Sequence, residues 1–336
     1  MPDPAGRPAP APGGPLFVVG CGRSGTTLLR LMLDANPALA IPGESHFIPP
    51  LWRARRRYER DGAFDEALLA EDLLRVPHVR AWGVPESVMR AYLGNAAGGS
   101  FADIVSAAFD AYAAHHGKVR WGDKTPIYVL DMPLLADLFP DARFVHLIRD
   151  GRDVTLSYLS VSWGPRSVWE AARKWRRDVT AGRLHGQELG KARYLELRYE
   201  DLVADPRTWL ETVCAFADLA FDERMLEHNK DWRDRVQAPP GGAERWHRSV
   251  AKPVTEGLRD WRTQMAERDV RAFETIAGRL LTDLGYERRF PRIGLARRAG
   301  AGLRVGWMES VAAGSRAKKA FNRARGRAPA KIDRGR

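Results

Sequence analysis

The chain has 336 residues, long for one domain and short for two full ones, so one α/β domain with insertions is expected. Hydrophobic content of 44% is ordinary for a globular protein, and no apolar run approaches the roughly 20 residues of a membrane span. Two cysteines, Cys21 and Cys214, argue against a disulfide framework and make a reducing cytoplasm the expected setting. The net charge of +12 is uneven: residues 296–336 hold twelve Lys/Arg against Glu309 and Asp333, so +10 belongs to that stretch.

In chain order, residues 1–14 are Pro/Ala/Gly-rich without an apolar core and read as a disordered leader rather than a signal peptide. Leu16-Phe17-Val18-Val19 is a short apolar run that predicts a buried strand. A Gly-rich turn follows. Leu28, Leu29, Met32 and Leu33 then share one helical face, and Asn36-Pro37 ends that helix. Residues 50–120 are charged, Trp-bearing and expected to be helical. Phe144 to Ile148 predicts a second strand, Ser167 has capping-box spacing to Glu170 for a helix to about Leu189, and Tyr194 to Tyr199 predicts a third strand. Asp205-Pro206 opens a helix through Phe216. Val270, Phe273, Ile276, Ala277, Leu280, Leu281 and Leu284 form a last amphipathic stripe closed by Gly285. Strands alternating with helices imply a central, mostly parallel sheet flanked by helices, a P-loop-like three-layer sandwich.

Gly20-Cys21-Gly22-Arg23-Ser24-Gly25-Thr26-Thr27 has the Gly-x-x-x-x-Gly frame of a P-loop between a strand and a helix. The amides of such a turn and the helix N-terminus favour an anion. The usual lysine after the second glycine is replaced by Thr26, and no metal-binding carboxylate is evident, so Mg-dependent NTP hydrolysis is not expected. Arg23 can supply the positive charge. Arg149-Asp150-Gly151-Arg152-Asp153, with Ser157 eight residues after Arg149, forms a second cationic strand-to-helix turn. Arg152 in that turn can equally be a structural ion-pair partner.

Arg23-Ser24-Gly25-Thr26-Thr27 followed by Leu-Leu-Arg resembles the 5′-phosphosulfate loop of sulfotransferases, the enzymes that use 3′-phosphoadenosine 5′-phosphosulfate (PAPS). The bacterial, carbohydrate and tyrosylprotein branches are the most similar. The resemblance covers residues 15–290, leaving 291–336 as a basic tail. It implies that Arg23, Ser24, Gly25, Thr26 and Thr27 hold the phosphosulfate, and that Arg149 and Ser157 hold the 3′-phosphate. Arg149 suits that role because a guanidinium can contact phosphate in bidentate fashion. Tyr199 is implied to lie along the nucleotide, and Ser249 and Lys252 in a late loop closing over it. Glu44, in Pro-Gly-Glu-Ser-His-Phe, stands where the family places its general base, and partial burial is expected to raise its pKa. His46 is a rival base or a shaper of the acceptor pocket; the tyrosylprotein branch has arginine there. Lys124, in Gly-Asp-Lys-Thr-Pro, is implied to stabilise the transferring sulfonate.

The resulting expectation is a PAPS-dependent sulfotransferase acting on a hydroxyl of a glycan, glycolipid or small natural product, without a metal. Residues 50–120 are expected to set acceptor specificity. A kinase-like phosphotransferase and a non-catalytic nucleotide-binding scaffold are the rivals. The basic tail is expected to make at most weak contact with an anionic membrane surface, and no specific nucleic-acid binding is expected.

Overall fold

The computed structural model describes residues 13–60, 63–227 and 259–291. The chain divides into two compact units at Met265/Ala266. In the first, β1 (Leu16–Gly20), β2 (Leu39–Ala40), β5 (Arg120–Lys124), β6 (Arg143–Ile148) and β7 (Tyr194–Arg198) form one sheet in the order β2-β5-β1-β6-β7. Every neighbouring pair is parallel. A short antiparallel pair, β3 (Glu59–Arg60) and β4 (Ala63–Phe64), lies outside that sheet.

Period-two alternation along β1 explains the layering. Leu16 and Val18 enter one core with Leu29, Met32 and Leu33 of α1 (Thr26–Asp34) and Leu210 and Val213 of α11 (Pro206–Phe216). Phe17 and Val19 enter the opposite core, with Phe109 of α6 (Phe101–His115) and Trp121 of β5. Aromatic rings carry this second core outward. Phe17 stacks on Phe144 at 5.3 Å, Trp121 stacks on Phe109 at 4.4 Å, and Trp82 lies 4.8 Å from Phe109. Trp82 Nε1 then donates to Gly43 O at 3.3 Å, tying the core to the loop that follows β2.

The other α-helices among the described residues of this unit are α2 (Ile48–Arg53), α3 (Glu66–Arg75), α4 (Pro77–Arg80), α5 (Glu86–Asn95), α7 (Met132–Leu138), α8 (Gly151–Leu159), α9 (Val168–Leu189), α10 (Tyr199–Ala204) and α12 (Trp261–Gln264). Local signals placed several of them. Ser167 accepts from Glu170 N at 3.2 Å to start α9, and Asp205 accepts from Thr208 N at 3.2 Å to start α11. In the second unit, α13 (Glu267–Asp283) ends at Gly285, whose φ of 75° lets Tyr286 N donate to Leu281 O at 2.9 Å. Glu274, buried on that helix, accepts from the Arg289 and Phe290 amides at 2.9 and 2.8 Å.

The three expected strands are present as β1, β6 and β7, although β7 stops at Arg198 and Tyr199 opens α10. Strands β2 and β5 were not expected. The β5 sequence Arg-Trp-Gly-Asp-Lys carries three charges in five residues, yet all five are buried. Its partners on both edges override its polar composition, a tertiary effect without a local signal. The 50–120 tract is helical apart from the β3–β4 pair. Among the described residues no helix is long and apolar enough to cross a membrane.

Candidate active site

Strand β1 has β5 on one side and β6 on the other, so the chain reverses its direction of winding there. Ligands of open parallel sheets bind beyond the carboxyl ends of strands at such a point. The C-terminal ends of the three strands carry the Gly20–Gly25 turn, Lys124 and Arg149 respectively.

The turn is shaped by its backbone. Gly25 precedes α1 with φ 94°, and a Cβ there would lie 2.3 Å from the Tyr199 ring. Glycine is therefore required twice, for the left-handed conformation and for the approach of that ring. Arg23 also has positive φ, 71°, and its Nε donates to Ser157 Oγ at 3.0 Å, joining the turn to α8. Ser24 Oγ is buried with no hydrogen-bond partner among the described residues. Such a hydroxyl is costly unless a ligand completes it. Thr26 and Thr27 open α1, where the first amides have no intrahelical acceptor.

Arg149 lies 4.5 Å over the Tyr199 ring, and its Nη2 is 3.8 Å from Asp153 Oδ2. Its buried Nε has no hydrogen-bond partner among the described residues. Burial pushes Asp153 up to about 7; Arg149 opposes the rise, while Asp150 and Glu200 add to it. Arg152 is spent internally: Nε and Nη2 pair with Asp150 at 3.0 and 2.7 Å, and its guanidinium sits 3.5 Å over the Trp261 ring. Of the two arginines in that turn, Arg149 is the one that keeps a donor for a ligand.

One cation escaped the sequence reading. Arg259 donates to Ser160 Oγ at 3.1 Å, and it acts on Arg23 electrostatically, as Arg149 does. Burial, with these two guanidiniums, lowers the Arg23 pKa, and Tyr158 and Glu44 oppose it. Three guanidiniums thus converge beside the turn, a strong field for a polyanion. Arg259 lies in a stretch without a periodic pattern, so only the fold brings it here. Ser249, Lys252, residues 1–12 and the basic tail fall outside the described residues.

On the other side of β1, Lys124 is buried at the end of β5, its side chain 4% exposed. Its Nζ contacts Glu44 Oε1 at 2.5 Å and Thr27 Oγ1 at 3.4 Å. The Glu44 side chain is 34% exposed, and its second oxygen, Oε2, meets His46 Nε2 at 2.8 Å. The expected rise of the Glu44 pKa is reversed. Desolvation alone would raise it, but the Lys124 ammonium and the His46 contact together hold it well below the carboxylate range.

Ser45 fixes the loop between them. Its amide donates to Thr125 Oγ1 at 3.0 Å, its hydroxyl shares a hydrogen bond with Tyr128 OH at 2.9 Å, and Ile48 N donates to the same Tyr128 oxygen at 3.1 Å. Beneath them Asp123 is buried, and burial pushes its pKa up to about 6 although Ser45 and Thr125 temper the shift. The 50–120 tract, without a motif in sequence, supplies Trp82 against Gly43 and His78 beside His46.

A family model described as the sulfotransferase family matches residues 15–223. The chain belongs to the sulfotransferase family. Over 281 residues it is 28% identical to a protein-tyrosine sulfotransferase of Drosophila melanogaster, covering 81% of this chain and 51% of that protein. The chain therefore spans about half the length of that relative. It is 26% identical to protein-tyrosine sulfotransferase 1 of Danio rerio, covering 81% and 72%. Among solved structures, the sulfotransferase domain of the Synechococcus PCC 7002 olefin synthase is 26% identical with a TM-score of 0.55, covering 80% of this chain and 98% of that one. The sulfotransferase domain from the curacin biosynthetic pathway shares the fold, with 21% identity, a TM-score of 0.58 and coverage of 82% and 99%.

Proposed function

We propose that this sulfotransferase holds PAPS between the Gly20–Thr27 turn and Arg149, and passes the sulfonate to a hydroxyl deprotonated by Glu44. The observation that carries this reading is the position of Lys124. One buried ammonium touches Thr27 of the anion turn and Glu44 at once, so base and donor site share a cation. The unpartnered Ser24 Oγ and Arg149 Nε fit a ligand bearing phosphate oxygens at both ends of the cleft.

PAPS supplies the activated sulfonate; the chain supplies the rest. Arg23, Ser24, Thr26 and Thr27 bind the phosphosulfate, and Gly25 admits it to the helix N-terminus. Arg149, backed by Tyr199, binds the 3′-phosphate with Ser157. Lys124 is shared in the free enzyme. Drawing its charge toward the sulfonate weakens its hold on Glu44 Oε1 and makes that carboxylate a better base as the donor binds. Charge that builds on the transferring group is met by Lys124 and Arg23 in place.

The acceptor favoured is a glycan, lipid-linked or small-molecule hydroxyl, since His46 stands where the tyrosylprotein branch carries arginine. The relatives named protein-tyrosine sulfotransferase make a tyrosyl hydroxyl the second reading. Transfer of radiolabel from PAPS to a tyrosyl peptide, a simple phenol, a glycan and an aliphatic alcohol separates these. In thermal shift, 3′,5′-bisphosphate adenosine (PAP) at a hundredfold its Kd should stabilise by about 2.7 kcal/mol. Equal stabilisation by ATP with Mg²⁺ would remove the 3′-phosphate assignment.

A further inference from the structure

Glu44 has to lose the acceptor's proton after each turnover, and its surroundings offer a route through His46. Lys124 Nζ faces Oε1 from a buried position, so that oxygen looks into the protein. Oε2 meets His46 Nε2 at 2.8 Å, and the His46 side chain is 39% exposed. His46 adopts φ 55°, a conformation uncommon for a residue with a side chain. The bonds of Trp82 to Gly43 and of Ser45 to Thr125 and Tyr128 hold the loop before that strained residue, and the bond of Ile48 N to Tyr128 holds it after. The side chains of residues 44 and 46 thereby meet. On the far side the His78 ring lies 5.1 Å from His46.

We propose that His46 is the positioning residue and proton outlet of Glu44. The inference rests on Glu44 being the base. As the acceptor oxygen bonds to sulfur, the bridging S–O bond breaks and its electron pair leaves with the 5′-phosphate of PAP. The acceptor's proton goes to Glu44. From Oε2 it passes to the lone pair of His46 Nε2 while Nδ1 of the exposed ring gives its own proton to solvent, returning the carboxylate to its ionised form. The charged groups facing His46 suit that traffic. Glu44 attracts a proton to the ring; Lys124 lies beyond Glu44. Asp123 lies within electrostatic reach below. His78 lies on the other side of the ring, and burial and His46 lower its pKa.

The test is turnover of PAPS, read as PAP release with water or a simple phenol as acceptor, in dilute buffer. His46→Ala should lower kcat at least about tenfold, within the range of a positioned acid–base group, with KM for PAPS within about twofold. Added imidazole should restore most of the loss in His46→Ala. His46→Gln keeps a polar side chain beside Oε2 but passes no proton onward, and should be as slow as His46→Ala. The His78→Phe variant, which keeps a ring and removes the second imidazole, should shift the pH profile of kcat. Wild-type kcat in His46→Gln, or a loss in His46→Ala that imidazole leaves untouched, overturns the outlet. Glu44→Gln is the control: if it turns over normally, the base assignment itself fails. If it is slow while His46→Gln is normal, only the outlet fails.

Discussion

The two sides of β1 are built on opposite terms. On the β6 side the proposed nucleotide cleft is a field of cations with donors left over: Arg149 Nε and Ser24 Oγ are buried without partners among the described residues. On the β5 side the base and the loop that carries it are already engaged. Glu44 has one oxygen on Lys124 and the other on His46, and Ser45 is bound to Thr125 and Tyr128. Unmet donors prepare a site for binding, since the ligand supplies what folding left out. Met ones hold a reactive group in register at the expense of its reactivity, because the same contacts depress the Glu44 pKa. In the proposed mechanism, binding on the first side loosens the second through the shared Lys124.

The sharpest way to break this comparison is Glu44→Gln. If the β5 side does chemistry and not binding, sulfonate transfer should fall by about 10²–10⁴. The thermal shift produced by PAP should stay near wild type. A comparable loss of PAP stabilisation would make the two sides one binding surface.

Arg149→Ala is the converse. Removing charged hydrogen bonds of roughly 1.5–3 kcal/mol should weaken PAP about ten- to a hundredfold by calorimetry. Adenosine 5′-phosphosulfate, which lacks the 3′-phosphate, should be affected far less. Equal losses for both ligands would make Arg149 a structural residue held by Tyr199 and Asp153.

Gly25→Ala tests whether the turn itself is preorganised. The substitution meets both a positive φ and the Tyr199 ring, so it should cost more than 1 kcal/mol, lower Tm by roughly 2–4 °C and weaken PAP several-fold. Gly94→Ala in α5, where an added Cβ meets nothing within 4 Å, is the matched control and should stabilise slightly.

The smallest effect concerns Asp153. Its pKa is raised from an ordinary 3.8 to about 7, so the folded form favours the proton. The associated stability is complete below about 3.8 and is lost as pH rises through about 7. Asp153→Asn should therefore change Tm little at pH 5 and raise it by a few degrees at pH 8.5. A benefit independent of pH would show that the carboxylate is not strained by burial.

Local chemistry made the β6 side readable. Gly20 to Thr27 and Arg149 to Ser157 are contiguous stretches in which glycine, arginine and hydroxyls must sit at fixed offsets. The strand-turn-helix frames around them follow from hydrophobic periodicity in β1, α1 and β6. The parallel sheet and the start of α11 at Asp205-Pro206 were equally local. Tertiary structure alone decided the rest. Strand β5 has no strand-like sequence and exists because β1 and β2 pair with it; that pairing buries Lys124 and presses it against Glu44, 80 residues away in the chain. Arg259 reaches Arg23 across more than 200 residues, and Trp82 and His78 reach the base loop from a tract with no motif. The sign of the Glu44 pKa shift belongs to the same class. Burial is a property that sequence hints at, but the competing charge of Lys124 is a distance, and distances between remote segments are set only when the chain is packed.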